Sequence, residues 1–312
     1  MVNELLVPGA MLHLLVGLVL ATLVHQDASL RGSDRAAELG VATLAVGLVF
    51  AVGYYLRRGR VGDLPPDASR RRASLVDRGW DLLRSLLLIV AAFLAATAVV
   101  GLGVSALVGA GVLTRETLEY RVVASVFQFV GFGLAVGGYL AITGEWELLQ
   151  VRRPSAREVG LIAVGVLALV GAQLVIARLL TALSVEVAQN QVVVTGQRDP
   201  SYFLYMIPVA ILLVGPFEEL VFRGGVQGIL RRTWGPSVAI ALSSVLFGLV
   251  HWIALTGGGG SRLPYITVAA VLGLVLGYLY ERTRNLVVPA VVHGLYNTVL
   301  FGVQYLSATG MG

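Results

Sequence analysis

The chain has 312 residues, of which 57% are hydrophobic and only 13% charged, with a mean hydropathy of +0.83. Soluble globular chains carry about 25% charged residues, so this composition excludes a soluble enzyme and indicates an integral membrane protein. There is no cysteine, which excludes disulfides, thiolate catalysis and cysteine-ligated metals, and all 23 basic residues are arginine, leaving a net charge of +5.

Apolar runs of about 18 residues or more recur along the whole length, the signature of membrane-spanning helices. Nine candidate spans follow in order: 8–25, 39–56, 86–112, 122–143, 159–183, 203–221, 236–255, 265–281 and 286–306. The fold class they imply is all-α, a polytopic membrane protein of about eight or nine transmembrane helices with a C-terminal helical core. The first run follows Glu4 with no arginine before it, whereas a secretory signal wants a positive start, so it reads as a first span. The second loop carries "LPPDASRRRASLVDRGWDLLRS". Pro65 and Pro66 break any helix, and Asp67 or Ser69 can cap a short amphipathic helix leading to Trp80 at the lipid headgroups.

Further on, "GFGLAVGG" (131–138) and "GLVLG" (273–277) hold small residues four apart, which lets helices approach closely. The polar stretch 184–200 divides an accessory region, 1–195, of about five helices from a core, 200–306. The sixth span can continue as helix to about Leu230. "TGGGGSR" (256–262) lacks the Lys-Ser/Thr of a phosphate loop and reads as a turn. No internal repeat is visible.

The second loop holds eight arginines (57, 58, 60, 70, 71, 72, 78 and 84), the fourth three and the sixth and eighth two each, against two, two, one and one in the odd-numbered loops. By the positive-inside rule the N-terminus is cytoplasmic, in a multi-pass protein of the cell membrane. The basic charge is thereby explained by membrane lipids, and nucleic acid is not an expected partner. This orientation sets the "PFEELVFR" end of the sixth span near the cytoplasmic headgroups.

Ionisable side chains inside a span are costly, so each is a candidate for function. His13, His25 and Arg178 lie where headgroups or interfaces account for them, Arg178 by snorkelling. The others fall in the last third: Glu218, Glu219, Arg223, His251 and His293. Glu219 and Arg223 are i,i+4 on one helical face and form a favourable ion-pair order. Glu218 is rotated by about 100° from Glu219 and lacks that partner. Phe247 and His251 repeat the spacing, as do His293 and Asn297, so three helices present polar groups that can converge on one site. A polar network locking the three helices explains Glu219 and Arg223 but needs neither the two histidines nor an unpaired glutamate. A proton-coupled transporter is the other alternative, although such proteins usually show repeat symmetry.

At these residues the chain resembles the CPBP intramembrane protease family, the CAAX prenyl-protease and bacteriocin-processing group also called Abi. The family pattern EExxxR, FxxxH, HxxxN is matched by EELVFR (218–223), FGLVH (247–251) and HGLYN (293–297). The resemblance covers about residues 200–306. It implies peptide-bond hydrolysis within the membrane, on a membrane-associated peptide or a prenylated protein. In the carried-over roles Glu218 and His251 activate a water and His293 and Asn297 stabilise the oxyanion. Glu219, Arg223 and Phe247 are supports. A carboxylate in a dry site can take a proton from water and return it to the leaving amine, and fixed donors stabilise the tetrahedral intermediate. There is no HExxH motif, no aspartate pair within a span, and Ser243 and Ser244 read as packing residues. The expectation is chemistry without a cofactor. The alternative is zinc held by Glu218, His251 and His293.

Overall fold

The computed structural model describes residues 31–57, 68–256 and 259–311, with a few positions between 20 and 29. The first expected span, 8–25, therefore lies mostly outside the described residues, as do His13 and Asp67. Two compact units emerge, Met1–Leu83 and Arg84–Gly312.

In the first unit the expected span 39–56 is two helices, α1 (Ala36–Val46) and α2 (Leu48–Arg57). They part at Gly47, whose φ of 75° is open to glycine at no steric cost. A small cluster of Leu20, Val24, Ala28, Ala36, Ala51 and Tyr54 is buried there. The helix expected to end at Trp80 instead joins the next span: α3 runs unbroken from Ala68 to Gly109.

Among the described residues seven helices are long and apolar enough to cross a membrane. After α3 come α4 (Leu118–Thr143), α5 (Ala156–Ala182), a short strand β1 (Gln189–Asn190) and α6 (Gln191–Arg198). The 34-residue α7 (Ser201–Trp234) follows, then α8 (Pro236–Val250), which continues as a 3-10 turn through Ala254. Strand β2 (Leu255–Thr256), α9 (Gly259–Thr283) and α10 (Val287–Ala308) complete the chain. Of the turn expected across 256–262, residues 259–262 belong to α9, and residues 257 and 258 lie outside the described residues. Both C-terminal spans are full length, at 23 and 22 residues.

In the second unit α7 packs against α4, α8 and α10, while α5 packs against α9 and α10. Leu169 of α5, Leu272, Leu276 and Leu279 of α9, and Val288, Val292 and Tyr296 of α10 form one apolar core. The small residues act as expected at four positions. A Cβ at Gly131 would lie 2.4 Å from Ala96, one at Gly133 2.5 Å from Phe217, one at Gly277 2.9 Å from Gln227 and one at Gly273 3.2 Å from Ser244, whereas Gly137 and Gly138 face open space.

One end of the bundle is tied by ions. Glu145, after α4, accepts from Tyr139 Oη at 2.6 Å and from Arg232 Nη1 at 2.7 Å, with Arg84 at 3.5 Å. Burial alone would raise the pKa of Glu145, but these partners outweigh it and hold the carboxyl below its ordinary value. Arg152 clamps Glu158 with two hydrogen bonds of 2.7 and 2.6 Å, and Leu286 N donates to Gln150 O at 2.7 Å. The last of these contacts anchors the start of α10.

Candidate active site

Glu218 and Glu219 end the apolar run of their segment but sit in the middle of its helix, which continues a turn beyond the expected Leu230. Helix α7 runs 15 residues past Glu219 to Trp234, about 22 Å at 1.5 Å per residue. The local cause of their placement is a pair of wide turns, Ala210–Val214 and Leu220–Gln227, on either side of Gly215–Glu219. In these turns Gly215 N bonds to Ala210 O and Gly228 N to Arg223 O, five residues back instead of four. Pro208 and Pro216 each remove a donor from the ordinary ladder. Such π turns concentrate at functional sites because they re-aim the side chains that follow. A carbonyl loosened in the second turn, Phe222 O, is taken up by Ser243 Oγ of α8 at 2.8 Å.

Glycine then brings α7 onto α10. A Cβ on Gly215 would meet Ala290 O at 2.3 Å, and one on Gly294 would meet Ala210 O at 2.9 Å. No other residue allows two helix backbones this close. The contact places His293, next to Gly294, against the two glutamates.

Glu219 and Arg223 are fully buried, each with 0% of its side chain exposed. Arg223 Nε lies 3.1 Å from Glu219 Oε2, off the hydrogen-bond direction, so charge holds the pair more than alignment. The guanidinium donates through Nη2 to Gly273 O at 2.9 Å. It begins a ladder between α7 and α9 that repeats every four residues. Gln227 Nε2 donates to Gly277 O at 3.0 Å, and Arg231 pairs with Glu281 at 2.8 Å.

Glu219 has a second partner. Its Oε1 accepts from His293 Nδ1 at 2.9 Å, so it supports the histidine as well as the arginine. His293 Nε2 faces the other way, 3.9 Å from Glu218 Oε2. Glu218 keeps 17% of its side chain exposed and has no closer ion pair among the described residues.

Phe247 is the spacer between these groups. Its ring meets His251 at 4.7 Å, His293 at 5.8 Å and Phe222 at 5.1 Å, all edge to face, while the Arg223 guanidinium lies 4.9 Å from its centre. His251 closes α8 with Nδ1 at 2.7 Å from Phe247 O. A carbonyl only accepts, so Nδ1 carries the proton and Nε2 is the free nitrogen. Asn297 stands one turn after His293, half-buried, with no hydrogen bond among the described residues. No three His, Asp or Glu side chains gather as metal ligands among the described residues.

Two residues at this site are invisible to motif reading. Tyr265 of α9 lies 6.1 Å from His251, ring to ring, and its hydroxyl accepts from Asn190 Nδ2 at 3.2 Å. Asn190 belongs to the polar stretch 184–200, where strand β1 pairs antiparallel with β2, immediately beyond the His251 turn. An Asn before an apolar run is a helix-start signal, and that is the one local hint Asn190 offers.

Residues 200–299 match the family model described as type II CAAX prenyl endopeptidase Rce1-like. The chain is also 30% identical over 102 residues to "Putative membrane peptidase YdiL" of Bacillus subtilis, covering 31% of this chain and 38% of that protein. It is 31% identical over 128 residues to "UPF0177 protein YxdF" of Lactococcus lactis, covering 38% of this chain and 65% of that protein. The matched region thus spans less than two thirds of either relative. No solved structure matches the chain significantly. The resemblance to the CPBP intramembrane protease family, first carried by three short motifs, therefore holds for the C-terminal core.

Proposed function

We propose that this protein is an intramembrane endopeptidase whose Glu218 activates a water against a peptide bond. One observation carries the reading. Of two adjacent buried-helix carboxylates, Glu219 is held by Arg223 and His293, while Glu218 is partly exposed and free to take a proton. In the reaction the water oxygen bonds to the carbonyl carbon as its proton passes to Glu218. His251 Nε2 accepts from the same water. The C–N bond then breaks as Glu218 returns the proton to the leaving nitrogen, giving an acid and an amine.

The oxyanion would be held by Asn297 Nδ2 and His293 Nε2. Because His293 Nδ1 donates to Glu219, Nε2 can donate only if the ring is an imidazolium. No metal is part of this scheme. Zinc would instead have to use the Nε2 atoms of His251 and His293 with Glu218.

The substrates are peptides or proteins held at the membrane. Prenylated CAAX proteins are the class named by the matching family description. A comparison of new peptide termini in membrane fractions carrying wild type or Glu218→Gln tests the reading. Termini that appear only with wild type support it, and identical sets of termini would overturn it.

We also read residues 1–195 as accessory to the 200–306 core, and the N-terminus as cytoplasmic. The Trp234 end of α7 and the α9–α10 turn then face the cytoplasm. An impermeant maleimide applied outside should leave Arg70→Cys unlabelled, and labelling from that side alone would reverse the orientation.

A further inference from the structure

The polar stretch 184–200 has no role in the chemistry so far. Its placement is built in detail. Asn190 and Gln189 pair with Leu255 and Thr256, Thr256 Oγ1 donates to Gln189 O at 3.1 Å, and Ala188 N donates to Ser261 O at 2.8 Å. Asn190 caps α6, its Oδ1 accepting from Val192 N at 2.9 Å. That bond settles which way the amide points, because the oxygen is used and the nitrogen must face elsewhere. It faces Tyr265 Oη, at 3.2 Å. The hydroxyl is therefore an acceptor towards Asn190, and its own proton is unspent. The hydroxyl makes no other hydrogen bond among the described residues. The ring stands beside His251.

We infer that Tyr265 is a further catalytic residue, donating its hydroxyl proton in a hydrogen bond to the substrate carbonyl oxygen as it becomes an oxyanion, and that Asn190 is its positioning residue. The inference rests on the protease reading. It adds a neutral O–H donor from α9 to the donors on α10, and it gives the polar stretch a function: Asn190 keeps the tyrosine proton pointing at the substrate. The hydrogen bond strengthens as charge develops, so the effect falls on the chemical step more than on binding.

The test uses the full chain in liposomes with a peptide library prepared from digested membrane protein, cleavage being read by mass spectrometry. The fastest-cut peptide is resynthesised for kinetics. Tyr265→Phe should lower kcat by about 10²-fold, with KM changed less than twofold and thermal stability retained. Asn190→Asp is the decisive variant. Aspartate caps a helix as well as asparagine, so a purely structural role predicts normal activity. The inference predicts a loss as large as that of Tyr265→Phe, because a carboxylate turns the tyrosine proton towards itself. The double variant should then be no worse than Tyr265→Phe alone. Wild-type kcat in either single variant would overturn the assignment while leaving the protease reading intact. A wild-type protein that leaves every library peptide intact would overturn that reading and this assignment with it.

Discussion

Replacing Glu219 by glutamine should destabilise the protein far more than the same change at Glu218, although the two residues are adjacent. Glu219 faces Arg223 at 3.1 Å with neither side chain exposed, and apart from it the guanidinium has one aligned hydrogen bond among the described residues, to Gly273 O. Removing the charge strands a buried cation, which costs about 3–5 kcal/mol. Glutamine keeps a carbonyl for His293 Nδ1, so the low end applies, about 3 kcal/mol or roughly a hundredfold in the folded-to-unfolded ratio. Glu218 is partly exposed and its closest ion pair is 3.9 Å away, so Glu218→Gln should cost about 0–1 kcal/mol. Unfolding in detergent micelles, followed by circular dichroism against denaturant, measures both. A third variant sharpens the comparison. Glu219→Gln combined with Arg223→Met removes both charges and should recover most of the loss. Equal stability of Glu218→Gln and Glu219→Gln would refute the division of roles between the two glutamates.

Gly215→Ala should cost about 1–3 kcal/mol and reduce activity, because its Cβ would meet Ala290 O at 2.3 Å and push α7 off α10. Gly137→Ala, which faces open space, is the control and should be neutral or stabilising by up to about 1 kcal/mol in the same unfolding assay. Asn297→Ala should lower kcat by about 10²–10³-fold, and Asn297→Asp should be worse, since it sets a negative charge where the oxyanion forms. The reverse order would point to a ligand role for position 297. Elemental analysis of purified wild type should find no stoichiometric zinc, with activity unchanged by chelator. One zinc per chain, lost with activity in His293→Ala, would replace the water-only chemistry with a zinc site.

The seven long spans were legible because lipid demands runs of apolar residues whatever their tertiary partners. The break at Gly47 was not, since hydropathy continues across it and only backbone conformation changes. In α7 the apolar run ends near the glutamates, and the helix continues past the expected Leu230 to Trp234. Hydropathy falls after Phe217 because Glu218, Glu219, Arg223, Gln227 and Arg231 are polar, yet Arg223, Gln227 and Arg231 are matched by a ladder on α9 and the helix runs on. Motif spacing brought out Glu218, His251, His293 and Asn297; of these, Glu218 lies 3.9 Å from His293, and Phe247 touches both histidine rings. It could not show that Glu219 bonds His293, because the two are 74 positions apart and nothing local records the contact. The same holds for Asn190 and Tyr265, 75 positions apart. The two wide turns of α7 depend on Pro208, Pro216 and the carbonyl caught by Ser243, a tertiary condition that helical periodicity does not carry.

The most direct test of the account is hydrolysis by purified protein in liposomes, in water enriched in oxygen-18. The substrate is a peptide whose new terminus appears in membranes only with the wild type. Wild type should release two fragments, with one labelled oxygen in the new C-terminal carboxylate, and Glu218→Gln should release neither while unfolding at the wild-type denaturant concentration. Cleavage by Glu218→Gln at the wild-type rate would contradict the account.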